Sequence, residues 1–154
     1  MDSEEIQRVV EQYSDLLLHA ALTRTDCAAD AEDVVQEAFL KLMTRRPRFR
    51  DEAHEKAWLI RTTLNLAHDL RRSASRRNLP LEEAAAAEAQ PTPPLLSAVR
   101  ALPDKYGAII HLHYYEGYTI QEIAKLLSLP AGTVGVRLSR GRERLKKMLE
   151  EEFL

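Results

Sequence analysis

The chain has 154 residues, a formal net charge of −2, 45% apolar residues, five glycines and one cysteine. That length holds one domain or two small ones, and scarce glycine beside abundant alanine, leucine, glutamate and arginine points to an all-α protein. No apolar run approaches a membrane span. The acidic start Met1-Asp-Ser-Glu-Glu5 is unlike a secretory signal, and the lone Cys27 can form no internal disulfide, so a cytoplasmic protein without membrane insertion is expected.

Ile6, Val9, Val10, Tyr13, Leu16, Leu17 and Ala20 mark an amphipathic helix from about residue 4 to 23. Thr25-Asp26-Cys27 breaks it. A second helix starts at Asp30 or a neighbour, with acids in its first turn where the helix dipole favours them. It runs to about Thr44, with Val34, Val35, Ala38, Phe39, Leu42 and Met43 as its core face. Residues 45–55 contain Pro47 and no clear period, and read as a loop. A third helix is expected from about Lys56 to Arg72, with room to extend to Arg77. Its inward stripe is Trp58, Leu59, Thr62, Leu66 and Leu70, which assigns Trp58 to the core rather than to a stacking platform for bases.

Residues 79–94 end in Pro91-Thr-Pro-Pro94, offer little apolar surface and read as a linker. Helices are expected beyond it at about 95–101, 104–116, 119–127 and 131–150, with Asp104 as a cap. The expected architecture is therefore two small helical domains, 1–78 and 95–154, joined by residues 79–94.

Total charge says little, but its distribution is uneven. Residues 1–40 hold two basic and ten acidic side chains; residues 41–77 hold eleven basic and four acidic; residues 133–149 hold six basic and one acidic. An acidic surface for one partner and two basic surfaces for another would look like this.

The strongest local pattern lies near the end. Ile120, Ile123, Ala124 and Leu127 share one face of a short helix, Ser128-Leu-Pro130 breaks it, and Pro130 suits the first turn of a new one. Val134, Leu138, Leu145 and Leu149 line that second helix, whose other faces carry Arg137, Arg140, Arg142, Arg144, Lys146 and Lys147. A short helix, a turn and a basic helix is the plan of a helix-turn-helix whose second helix enters the DNA major groove. Small Ala124 suits a steep crossing that Val134 fills. Ser128 stands where glycine would take a left-handed turn without strain. A plain αα-hairpin with a solvated basic face is the competing reading.

His111 and His113 are two apart on a helix, so one should be packed and one exposed. No nucleophile–base pair, Gly-rich phosphate loop or Cys/His metal spacing is present. Neither enzyme activity, a metal nor a cofactor is expected.

With these motifs placed, nearly the whole chain resembles a bacterial extracytoplasmic-function sigma factor, the smallest type of RNA polymerase sigma subunit. Asp30-Ala-Glu-Asp-Val-Val-Gln-Glu-Ala-Phe-Leu-Lys-Leu42 resembles that family's polymerase-binding helix. Ala57-Trp-Leu-Ile-Arg-Thr-Thr-Leu-Asn-Leu-Ala-His-Asp-Leu-Arg-Arg72 resembles its −10 promoter helix. Leu102-Pro-Asp-Lys-Tyr106 and the helix-turn-helix resemble its −35 domain.

The resemblance implies that Asp33, Gln36, Glu37 and Leu40 dock on the clamp of the largest subunit of core polymerase. Exposed carboxylates flanked by apolar Val34, Phe39 and Leu40 would make a mixed protein-binding face. It implies that the loop around Phe49, Arg50 and Asp51 captures a flipped base of the −10 element. Arg61, Arg71 and Arg72 would track the backbone and Asn65 would pair with a base edge. For the −35 element it implies Thr133, Arg137, Arg140 and Arg144. It also implies an anti-sigma protein as a partner, beside core RNA polymerase and promoter DNA.

The chain departs from the family at Gly132-Thr-Val-Gly-Val-Arg137, where Gly-Thr-Val-Lys-Ser-Arg is usual. Gly135 removes an expected cation and costs the helix about 1 kcal/mol relative to alanine. Gly141 reads as a second weak point. Two other functions stay open on sequence: a stand-alone helix-turn-helix regulator, and a sigma-like decoy that binds partners without promoter activity.

Overall fold

Asp2 opens the first helix by accepting a 2.8 Å hydrogen bond on Oδ1 from the Glu5 amide, which satisfies one of the free amides of the first turn. The computed structural model describes residues 2–76 and 94–153, each stretch forming a unit of its own. Among these residues all regular structure is helical. The linker expected at 79–94 lies outside them, except that Pro94 begins a helix.

The first unit is α1 (Ser3–Leu22), α2 (Ala28–Arg45) and α3 (Glu52–Arg76), each packed on the other two. α1 buries Val9, Tyr13, Leu17, Ala20 and Ala21, and α2 buries Ala31, Val34, Val35, Ala38, Phe39 and Leu42, close to the periods that announced them. Leu17, Leu59 and Ile60 are almost wholly enclosed, each contributing about 1.5–3 kcal/mol of burial. α1 ends without glycine. The hydroxyls of Thr23 and Thr25 donate to the Ala20 and Ala21 carbonyls instead, at 2.7 and 2.8 Å.

α3 departs from expectation twice. It starts at Glu52, inside the expected loop, because Asp51 caps it: the Asp51 Oδ1 accepts from the His54 amide at 2.8 Å. Its buried stripe is Leu59, Ile60, Thr63, Leu64 and Ala67, not the expected Trp58, Thr62, Leu66 and Leu70. Leu70 is 37% exposed and Trp58 is half-buried, so Trp58 is not a core residue. The buried set is a 3.6-period stripe of its own, turned by about one residue from the expected one, and Thr63 and Ala67 are the small members at which α3 is fully enclosed.

A polar cluster ties α1 to α3. The Arg8 guanidinium pairs with Glu55 at 3.2 Å, and the Tyr13 hydroxyl donates to Glu55 Oε1 at 3.0 Å. Burial, and the bond to Glu55, push the Tyr13 hydroxyl well above its ordinary range.

The second unit is α4 (Pro94–Ala101), α5 (Asp104–Ile110) continuing into a π-helical turn (111–115), α6 (Ile120–Leu127) and α7 (Ala131–Phe153). α4, α5 and α6 all pack on α7. Asp104 is not the cap of α5; it is the first helical residue, and Pro103 holds the cap position. α6 opens with a reciprocal cap. The Glu122 amide donates to Thr119 Oγ1 and the Thr119 amide to Glu122 Oε1, both at 3.1 Å. Ser128 does take the left-handed conformation, φ 57°, and the Leu129 amide donates to the Ala124 carbonyl at 2.9 Å. Val134 is fully enclosed behind that turn.

His111 is buried beside Glu116 at 3.3 Å. His113 is half-buried, with Nδ1 2.9 Å from the Tyr118 carbonyl, so neither histidine is the exposed one expected.

Candidate functional site

Three surfaces collect the chemistry that the sequence pointed to. The first is on α2. Asp33, Gln36, Glu37 and Leu40 are spaced three, four and seven apart, so they form one stripe, and all four are exposed. Leu40 is 50% exposed, a large apolar side chain held in water beside two carboxylates. Val34 and Phe39 do not share this face; both are buried in the bundle. The apolar component of the stripe is therefore Leu40 alone.

The second surface is the loop before α3 and the outer face of α3. Arg61, Asn65 and Arg72 fall on one exposed stripe, with His68 between the last two. His68 was not among the expected residues, although the same spacing places it there. Arg71 departs from the stripe. It is half-buried and its Nε lies 3.5 Å from Asp26 Oδ1, so it braces the α1–α2 loop instead of standing free for DNA. In the loop, Phe49 is half-buried, and Arg50 and Asp51 are exposed. The Phe49 ring meets His54 edge-on at 5.3 Å and Trp58 at 5.9 Å. The Asp51 carboxylate is spent on capping α3.

The third surface is on α7. Thr133, Arg137, Arg140 and Arg144 follow at four, three and four residues and form one stripe that borders the buried face of Val134 and Leu138; Thr133 and Arg137 are half-buried, Arg140 and Arg144 exposed. An open groove of about 390 Å³ runs beside it, lined by Lys105, Tyr106, Gly132, Thr133, Val136, Arg137 and Arg140. Lys105 and Tyr106 come from α5 and were not assigned from sequence; only the fold brings them to this face. The Lys105 ammonium and the Arg144 guanidinium lie 5.0 and 4.9 Å from the Tyr106 ring centroid. Burial works to raise the Tyr106 hydroxyl, but Lys105 and Arg144, with hydrogen bonds from Lys105 and Arg140, bring it below its ordinary range. Such a cluster of cations is suited to phosphate oxygens. Arg142 points elsewhere, donating to the Tyr114 hydroxyl at 2.9 Å.

The two glycines of α7 differ. A Cβ on Gly135 would meet nothing within 4 Å, so the position is open beside the groove. A Cβ on Gly141 would lie 3.2 Å from Ile110 Cγ1 and 3.3 Å from Tyr106 Cβ. Gly141 is thus the close-approach point of α5 and α7, not the weak point expected.

No helix among the described residues is long and apolar enough to cross a membrane.

Two family models match the chain, Sigma-70 region 2 over residues 9–77 and Sigma-70, region 4 over residues 94–145. The chain is 31% identical to the ECF RNA polymerase sigma factor SigL of Mycobacterium tuberculosis, covering 95% of this chain and 89% of that one. It is 33% identical to a probable RNA polymerase sigma factor, RfaY, of Xanthomonas campestris pv. campestris, over 95% of this chain but only 40% of that relative's length. Its fold is similar to that of the sigma factor RpoE of Bartonella quintana, solved in complex with the anti-sigma factor NepR. The TM-score is 0.76 at 19% identity, covering 96% of this chain and 98% of that one.

Proposed function

The chain belongs to the sigma-70 family as an ECF RNA polymerase sigma factor, and from that premise we propose how its three surfaces divide the work of starting transcription. A sigma factor directs core RNA polymerase to promoters; it is an initiation factor without a reaction of its own. This chain acts the same way, in the cytoplasm. The observation that carries the assignment is the order of the two matched regions, region 2 before region 4, with a basic surface in each.

The α2 stripe docks on the clamp of the largest polymerase subunit, with Asp33 and Glu37 meeting cations and Leu40 filling an apolar pocket. α7 lies in the major groove of the −35 element. Arg137 reads a base edge, bidentate if the base is guanine. Arg140, Arg144 and Lys105 hold phosphates and set register. Arg61, Asn65 and Arg72 track the opened −10 strand, and the loop at Phe49, Arg50 and Asp51 receives an unstacked base. Domain boundaries follow the same division: residues 1–78 for polymerase and the −10 element, 79–94 as linker, 95–154 for the −35 element.

Each DNA surface is small, so each binds weakly by itself. Polymerase fixes the spacing between them and makes the second contact effectively intramolecular. An anti-sigma protein that covers these surfaces would hold the chain inactive, a reading supported by the NepR complex of the similarly folded RpoE. A stand-alone regulator would leave residues 9–77 without a role.

Run-off transcription with purified core polymerase on genomic fragments tests the assignment. Specific transcripts that require this chain are expected. No transcript on any fragment, despite core binding, would favour a decoy.

A further inference from the structure

His54 sits three residues past the cap of α3 and touches each of the three loop residues before the helix. Its amide donates to Asp51 Oδ1 at 2.8 Å. Its ring Nδ1 accepts from the Arg50 amide at 3.1 Å. Its ring edge meets Phe49 at 5.3 Å with the planes at 87°. Phe49 in turn leans on Trp58, one helical turn further along α3, at 5.9 Å. Reciprocal caps usually use Glu or Gln at this position, the side chain returning to the backbone amide of the cap. Here an imidazole performs that return, one residue earlier, and adds a flat surface for the loop's aromatic ring.

From this convergence we propose that His54 is the positioning residue of the −10 loop. By accepting from the Arg50 amide it fixes the backbone of residues 49–51 before DNA arrives. Phe49 is then held between two rings of α3, Asp51 is committed to the helix, and the Arg50 side chain faces solvent, ready for the strand. A loop already in its bound shape loses less entropy on binding than one that must be ordered. His54 itself touches no DNA. Its contribution passes through the hydrogen bond at Nδ1, and the residue that replaces it must offer an acceptor at the same place.

The inference rests on the reading of residues 49–51 as the −10 loop, and the test separates the two. Holoenzyme is assembled from core polymerase and either the wild-type chain or the variants His54→Ala, His54→Gln, Phe49→Ala and Arg50→Ala. The probe is a fluorescent single-stranded oligonucleotide with the non-template −10 sequence of a promoter found by run-off transcription. Emission of Trp58, the single tryptophan of this chain, reports loop packing in the free wild-type chain and variants before core polymerase is added. His54→Ala should bind the probe about fivefold more weakly, what one lost hydrogen bond is worth, and shift the Trp58 emission. His54→Gln keeps an acceptor and should stay within about twofold of wild type. Wild-type binding by His54→Ala while Phe49→Ala is weakened would overturn the positioning role and leave the loop reading standing. Equal loss in His54→Gln and His54→Ala would overturn the hydrogen bond as the cause. Wild-type binding by both Phe49→Ala and Arg50→Ala would remove the loop reading and the inference with it.

Discussion

The guanidinium of Arg144 lies 4.9 Å from the ring centroid of Tyr106, so an arginine of α7 is held against α5 before any DNA is present. A cation held in this way suits a phosphate, whose position does not depend on sequence. Arg137, three residues before Arg140, stands further toward the start of α7 and lines the groove itself. The two arginines should therefore fail differently. Arg137→Ala should cost about 1–3 kcal/mol of discrimination at one −35 position. Arg144→Ala should weaken all sequences alike and flatten the salt dependence by about one unit. Holoenzyme titrations of matched and mutated −35 duplexes at several salt concentrations would separate them; identical profiles for the two variants would refute the division.

The two glycines of α7 give a paired stability test. Gly135→Ala meets nothing within 4 Å and should stabilise the chain by about 0.5–1 kcal/mol, the helix penalty of glycine. Gly141→Ala gains the same propensity but forces a Cβ to 3.2 Å from Ile110. It should show no gain, or a loss. Denaturant midpoints of the two variants check this, and a larger gain for Gly141→Ala would contradict the packing described.

Reversing the charges of the α2 stripe, Asp33→Lys with Glu37→Lys, should abolish most core polymerase binding. Both side chains are exposed, so unfolding free energy should change by no more than about 0.5 kcal/mol. Co-purification with core polymerase, beside a melting curve, is the check. Undiminished co-purification would remove the stripe from the interface.

Tyr118 predicts a pH effect. Burial first, then Glu116 and Glu122, raise its hydroxyl from 10.0 to about 12. The folded state thus favours the neutral phenol. This stabilisation is complete below pH 10.0 and is lost as pH rises through about 12. Between those values the wild-type chain should lose more stability than Tyr118→Phe. Denaturant melts at stepped alkaline pH measure this; parallel curves would show that Tyr118 is not the group concerned.

The helices were legible because each lies within one segment, where a period of 3.6 suffices; the stripes on α2 and α7 were named from the resemblance to the family, and the helical spacing then places each set on one face. The turn at Ser128 was legible for the same reason. The start of α3 was not, since the Asp51–His54 cap is polar and leaves no mark in a hydrophobic period. The inward face of α3 was not legible because two overlapping apolar stripes run along it, one through Trp58, Leu66 and Leu70 and one through Ile60, Leu64 and Ala67, and only the packing of α1 and α2 selects between them. Arg71 looked like one more cation until the fold set it beside Asp26, far away in the chain. Lys105 and Tyr106 join the α7 groove from a different helix, and no local pattern announces that. Gly141 shows the same limit: its role depends on Ile110, which only the fold brings near.

The two small DNA surfaces should act together only on polymerase. The most direct measurement is a mobility-shift assay on duplex promoter DNA with and without core polymerase, followed by permanganate probing of unpaired thymines. The free chain should bind poorly and nearly without sequence preference, and once core is added binding should be tight, with reactive thymines in the −10 region. Tight, sequence-specific duplex binding by the free chain, or core binding that leaves every promoter closed, would contradict it.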